Sequence, residues 1–179
     1  MDEQLPVPAF VDWPIFPFVG DVKVRELADR LPHEYPRAGE PGNDPCHCET
    51  GARSVPIWQN ERWTVREIRI DDRAAPFPAY MLEPVEHVDL GDLDDALAAE
   101  YGVLTVRLER AIVALGSVGR VHVLRWGDGG SHMHVWFLGR PAGAWQFSGF
   151  SLAMWLYIVP ALDEAEIAAN NASVAAAMG

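Results

Sequence analysis

The chain has 179 residues, 49% of them apolar and 22% charged, which fits one globular domain with room for a core. Its formal net charge of −12 argues against a sequence-independent grip on phosphates, so no nucleic-acid partner is expected. The longest apolar run, Phe150 to Leu162, is too short to span a membrane and contains Pro160, so no membrane partner is expected either.

Residues 1–45 read as a Pro-rich N-terminal extension. The opening lacks the basic-then-apolar pattern of a secretory leader. "LPVPAFVDWPIFPFVGD" mixes prolines with aromatics and is expected to lie extended over the core, and "LADRLPHEYPRAGEPGNDP" is an irregular connection. Cys46 and Cys48, the two cysteines, stand one residue apart, which suits a shared metal or a reduced pair better than a disulfide. A cytoplasmic setting is the simplest expectation. Short strands are expected at "SVPIW" and "RWTVREIRI", with a turn at Asn60–Glu61, and a third at "PAYMLEP" between Pro78 and Pro84.

The period changes at Asp92. Leu93, Ala96, Leu97, Leu104, Leu108, Ala111, Ile112 and Leu115 recur at three- and four-residue spacings, predicting an amphipathic helix with Asp92 as N-cap and Gly116 as stop. "RVHVLRW" and "SHMHVWFLG" follow as two strands, joined as a hairpin through Gly127–Gly130. His122 alternates with Val121 and Val123, which places it on the solvent or groove side. Residues 142–179 form an aromatic, apolar segment through Val159 and a final helix from Asp163. The stretch "FSGFSLAMWLYIVP" either closes the core or exposes a homodimer surface.

In a strand, residues two apart share a face. His132, His134 and Trp136 therefore line one side, while Met133, Val135 and Phe137 can pack against the helix. Two imidazoles in such a groove are either polar residues on a half-buried sheet or groups for metal or phosphate chemistry.

The order of strand, "EPVEHV", long helix, strand and "GDGGSHMHVWFLGRP" resembles the histidine-triad superfamily of nucleotide hydrolases and transferases. Its pattern of alternating histidines and apolar residues is matched by His132, Met133, His134, Val135, Trp136, Phe137 and Leu138, with Arg140 in the trailing place. Pro84 and His87 match its upstream Pro-x-x-His feature, and "PCHCET" resembles the paired cysteines of some bacterial members. Two positions depart: the third histidine is Trp136, and a histidine common five residues before the upstream proline is Ala79.

The resemblance implies an α+β fold over residues 46–141, an antiparallel sheet with one long helix, flanked by N- and C-terminal extensions. It implies a phosphoramidase or dinucleotide hydrolase on small nucleotides. His134 would be the nucleophile that forms a nucleotidyl-histidine, and His132 would orient the site. Gly129, Gly130, Ser131 and Arg140 would bind substrate, and Trp136 would stack on a base or plug the groove. Cys46, Cys48, His87 and His132 would form a structural zinc site, with His47 able to replace a cysteine; the other reading is a reduced surface pair and an unrelated histidine. A homodimer is expected. The alternatives to an enzyme are a non-catalytic nucleotide-binding module and a zinc-supported interaction module.

Overall fold

The computed structural model describes residues 5–51 and 53–179. Its centre is a five-stranded antiparallel sheet in the order β1-β2-β5-β7-β6, where β1 is Trp58–Gln59, β2 Trp63–Glu67, β5 Ala79–Pro84, β6 Val118–Leu124 and β7 Val135–Pro141. A two-stranded hairpin, β3 (Arg69–Ile70) and β4 (Arg73–Ala74), stands apart.

Register decides what each face buries. Val65 pairs with Leu82, Leu82 with Val135, and Tyr80 with Phe137, so these apolar side chains share one face. That face is covered by α2 (Asp95–Val113) through Leu104, Leu108, Ala111 and Ile112, and by α4 (Glu164–Met178) through Val174 and Met178. The opposite face carries Met81, Trp136 and Leu138 and packs against Leu152 and Leu156 of α3 (Ser151–Ile158). The helices thus build a core on each side of the sheet. The α3 face is only partly covered, and the uncovered part is the site described below. Gly139 is required where the layers meet, because a Cβ there would lie 3.0 Å from the Pro78 carbonyl and 3.2 Å from Ile112.

Several sequence expectations are corrected. The long helix starts at Asp95 with Asp94 as its cap, the carboxylate accepting from the Leu97 N–H at 2.7 Å; Asp92 instead ends a short 3₁₀ turn from Leu90. "SVPIW" contributes only Trp58 to a strand, and Val55 is exposed. "RWTVREIRI" breaks after Glu67, and its end turns back through Asp71 and Asp72, both at positive φ. Gly127–Gly130 is not a tight hairpin turn: ten residues, 125–134, separate β6 from β7. The reason is a remote competitor. Ala38 accepts from the Ser131 N–H at 3.0 Å and donates to the Gly129 carbonyl at 3.1 Å, and the Met133 N–H goes to Val88 at 2.8 Å. His132, Met133 and His134 therefore lie just before the strand.

The aromatic, apolar segment after Pro141 contains a helix, α3, that no sequence period marks. Its last turn is closed by Arg73, which donates to the Val159 and Leu156 carbonyls at 2.8 and 3.2 Å. The N-terminal segment touches it: Phe10 meets Phe150 edge-on at 5.2 Å, and the Trp155 indole donates to Ile15 at 3.1 Å. Residues 25–35 are exposed. Among the described residues, no helix is long and apolar enough to cross a membrane.

Candidate functional site

Four side chains from three separated segments converge at the end of β5. Cys46 caps a single helical turn, α1 (His47–Thr50), that carries Cys48; His87 follows β5, and His132 precedes β7. One ligand-type atom of each lies within 4.8 Å of the others. The two imidazoles are held by partners outside the cluster. His132 donates from Nε2 to the Pro84 carbonyl at 2.9 Å, which leaves its buried Nδ1 without a partner. Ser131 Oγ donates to the Ala38 carbonyl at 3.1 Å, so at 3.2 Å it accepts from His87 Nε2, and His87 Nδ1 faces Cys48 Sγ at 3.1 Å. Each ring therefore presents a lone pair inward with its other nitrogen oriented, the arrangement a metal-binding imidazole requires.

Burial, with the Arg53 charge second, lowers the His132 pKa to about 4, so the ring is neutral at pH 7. Burial and the neighbouring Cys46 push the Cys48 thiol up to about 11, a penalty that a bound cation would reverse. Gly39 at φ +90° completes the packing; a Cβ there would lie 2.6 Å from Ser131 Oγ and 2.7 Å from the His87 ring. The two thiols and two imidazoles could hold a metal ion in a closed tetrahedral set. His47 is not in this cluster; it lines the adjoining groove.

That groove, about 740 Å³, runs over the uncovered part of the sheet. His134 and Trp136 line it, together with Gly129 and Gly130. The His134 Nδ1–H donates to the His132 carbonyl at 2.8 Å, which fixes the tautomer and leaves the Nε2 lone pair for the groove. Trp136 is half-buried on the floor, opposite Met81 and Leu124 and edge-on to Trp126 at 5.3 Å. Its Nε1 is buried without a partner.

The remaining sequence candidates lie elsewhere. Ser131 points away from the groove, toward His87. Arg140 sits near the far end of β7 with its guanidinium on the Ala144 carbonyl, about 16 Å along the strand from Val135 at ~3.3 Å per residue. His122 pairs with Leu138 on the same strand pair, remote from the cluster.

The sequence reading missed two groups. The first is Glu83 with Arg66 and Arg53. Continuing the β5–β7 register one step beyond Leu82 and Val135 sets Glu83 opposite His134. Its Oε2 lies 3.1 Å from Arg66 Nε and 3.7 Å from Arg53 Nη1. The alternation of "WTVRE" puts Arg66 on the face opposite Val65, but only the register reveals its partner. The second group is Asp89, which bridges Arg37 at 2.7 Å and Arg125, while Arg37 also donates to the Gly127 carbonyl at 3.1 Å. This bridge ties the N-terminal segment to the loop that carries His132 and His134.

No family model matches the sequence, and no curated protein matches it. Solved structures do. A histidine triad protein from Bradyrhizobium japonicum superposes with a TM-score of 0.58 at 18% identity, covering 75% of this chain and 97% of that one. A Hit-like protein involved in cell-cycle regulation from Bartonella henselae gives 0.51 at 13% identity, covering 73% and 90%. A hypothetical histidine triad nucleotide-binding protein from Sulfolobus tokodaii gives 0.51 at 13%, covering 74% and 89%.

Proposed function

We propose that this chain, which has the histidine-triad fold, is a nucleotide hydrolase or nucleotidyltransferase that works through His134. The observation that carries this reading is the His134 ring: Nδ1–H is spent on the His132 carbonyl, and Nε2 is left free on a groove of about 740 Å³. A neutral imidazole held this way is a nucleophile. Nε2 attacks the phosphorus of a nucleoside 5′-phosphoryl group, the P–Nε2 bond forms, and the bond to the leaving group breaks with its electron pair; an amine leaves after taking a proton from solvent, a phosphate leaves as the anion. Water or another acceptor then attacks phosphorus and gives its proton to solvent, the P–Nε2 bond breaks, and the lone pair returns to Nε2. The imidazole keeps its Nδ1 proton throughout, and the His132 carbonyl stabilises the cationic ring of the intermediate. Phosphoramidate and dinucleotide substrates both fit this sequence of steps.

Zinc fits the Cys46, Cys48, His87 and His132 set, because the donors are two sulfurs and two imidazoles and the buried His132 Nδ1 has no other partner. Bound there, it would supply structural cross-linking. In this reading His132 serves the metal with its ring and His134 with its carbonyl. The same reading carries a homodimer, for which Val103 and Val106 on α2 and Phe150 and Tyr157 around α3 are exposed apolar surface.

Incubation with a reactive nucleoside phosphoramidate is expected to trap a nucleotidyl adduct on His134, located by mass spectrometry, and His134→Ala to abolish it. An adduct on another histidine, or full turnover by His134→Ala, overturns the assignment. Tight nucleotide binding with no adduct and no turnover favours a binding module instead.

A further inference from the structure

Arg66, Arg53 and Glu83 form the basic floor of the groove beside His134, and nothing in the chemistry above uses them. Their side chains are 14%, 13% and 9% exposed. Two guanidiniums share one carboxylate oxygen, Oε2 of Glu83, so the trio carries one positive charge that no second carboxylate pairs with among the described residues. The second contact of Arg53, 4.0 Å to Cys46 Sγ, does not cancel it. In a zinc-loaded cluster of two thiolates and two neutral imidazoles, the metal charge is already balanced. An excess charge this far out of water is expensive unless something fills the groove and pairs with it. It is also out of keeping with a chain of net charge −12.

The position matters as much as the charge. Glu83 is set opposite His134 by the strand register, and Arg66, Met81 and Trp136 form the next row across three strands. Strands lie ~4.8 Å apart, so Glu83 stands about one spacing from His134, and the Arg66 and Arg53 guanidiniums reach its Oε2 at 3.1 and 3.7 Å. Both cations therefore sit beside the residue that faces the attacking group. Beyond Arg66 the groove turns acidic, with Glu67, Asp71 and Asp72 lining it alongside Arg69. The basic stretch is therefore short, enough for one further anionic group.

We propose that Arg53 and Arg66 form an anion subsite that selects substrates carrying a second negative group next to the phosphorus attacked by His134. The inference deepens the reading of His134 as nucleophile and names the substrate class as nucleoside diphosphate derivatives. When Nε2 displaces the second phosphate, the bridging P–O bond breaks and its electrons stay on the departing phosphate oxygen. The guanidiniums take up that developing charge. A phosphoramidate with an uncharged leaving group gains nothing from them.

The test compares ADP with AMP, measured by calorimetric titration on the full chain. The wild type is expected to bind ADP about 10- to 100-fold more tightly than AMP, the worth of a charge-assisted hydrogen bond pair. Arg66→Gln is expected to bring the ratio near one, and Arg66→Lys to keep part of it; Arg53→Gln serves in place of an Arg66 variant that fails to fold. Using the ratio on each variant cancels any loss of folding, which lowers both affinities alike. A wild-type ratio near one, or a ratio unchanged in Arg66→Gln, overturns the subsite. The phosphoramidate adduct reports separately on His134. An adduct with a ratio near one removes the subsite and keeps the nucleophile. A high ratio without an adduct does the reverse, and absence of both removes both.

Discussion

Replacing Asp89 with alanine should loosen the His134 loop without unfolding the protein. Asp89 holds Arg37 at 2.7 Å, contacts Arg125, and accepts from the Leu90 N–H at 2.7 Å. Burial pushes its carboxyl up, but the Arg37 hydrogen bond, the Leu90 amide and the Arg125 charge outweigh this and hold it below the usual carboxylate range. It is therefore the ionised anchor of the bridge at neutral pH. All three side chains are partly buried, at 17% exposure for Asp89, 27% for Arg37 and 25% for Arg125. Removing the carboxylate leaves two guanidiniums short of a partner, although Arg37 keeps Glu40 and the Gly127 carbonyl. A charged hydrogen bond is worth ~1.5–3 kcal/mol, and Arg37's surviving contacts hold the total near the lower part of that range, about 2 kcal/mol. At ~1.4 kcal/mol per decade this is about a 30-fold increase in local opening. Hydrogen exchange reads it directly. The Ala38 and Ser131 amides, which pair the N-terminal segment with the loop, should lose about 30-fold in protection, while amides of β5, β7 and α2 hold theirs. A uniform loss across the sheet, or unchanged protection at Ser131, refutes the idea that Asp89 is a local clasp.

Four further outcomes follow from the same contacts. Purified protein should carry about one zinc per chain by elemental analysis, and Cys46→Ser with Cys48→Ser should remove it and lower the Tm; Ser131→Ala, which frees the outer nitrogen of His87 and the Ala38 carbonyl but touches no ligand atom of the set, should weaken the metal by roughly 10- to 100-fold. Trp136→His should cost about 1–3 kcal/mol in urea unfolding, because a half-buried indole packed on Met81 and Trp126 is exchanged for a smaller polar ring; an unchanged midpoint refutes its packing role. Leu152→Ala, at 1% exposure on the second face of the sheet, should cost about 2–5 kcal/mol, and a value under ~1 would show that α3 is a surface attachment. Burial, then the charge of Arg140, holds His122 below its ordinary pKa; the unfolded chain thus binds more protons as pH falls past about 6.5, stability drops over that window, and His122→Gln should flatten the slope.

Which parts of this were legible in the sequence follows from the range of the interactions. The long helix was readable because Leu104, Leu108, Ala111 and Ile112 repeat at helical spacing and all are buried. Its start slipped by two positions because "LGDLDDAL" offers several aspartates, and only the local turn from Leu90 decides among them. α3 was missed because "SLAMWLYI" is apolar on every side, so no period marks it; the helix earns its place by packing two leucines on the sheet while Tyr157 stays exposed. The hairpin expectation failed because Ala38, some ninety residues away, takes the backbone groups of Gly129 and Ser131. The metal-type cluster was readable from residue type alone, since thiols and imidazoles are few in this chain. The Arg53–Glu83–Arg66 trio was not, because charged residues are many and only the strand register brings these together.

The departure of Trp136 from the histidine pattern and the presence of the cluster bear on each other. A histidine in the first position of the pattern can serve the reaction only if its ring is free. Here the His132 ring is buried, with Nε2 bound to Pro84 and Nδ1 turned into the cluster, so it has no nitrogen left for a substrate. What it retains toward the groove is a backbone carbonyl, and that carbonyl holds His134. At the third position an indole occupies the floor and offers no lone pair at all. The face therefore keeps one imidazole with a free nitrogen, His134. Charge that neighbouring rings do not supply must come from elsewhere; of the arginines lining the groove, Arg69 is paired with Glu67 and Glu164, while Arg53 and Arg66 share the single carboxylate of Glu83. The proposed chemistry thus rests on two places across the sheet, His134 just before β7 and the two guanidiniums that meet on Glu83 of β5, with the cluster fixing the His132 carbonyl that holds His134.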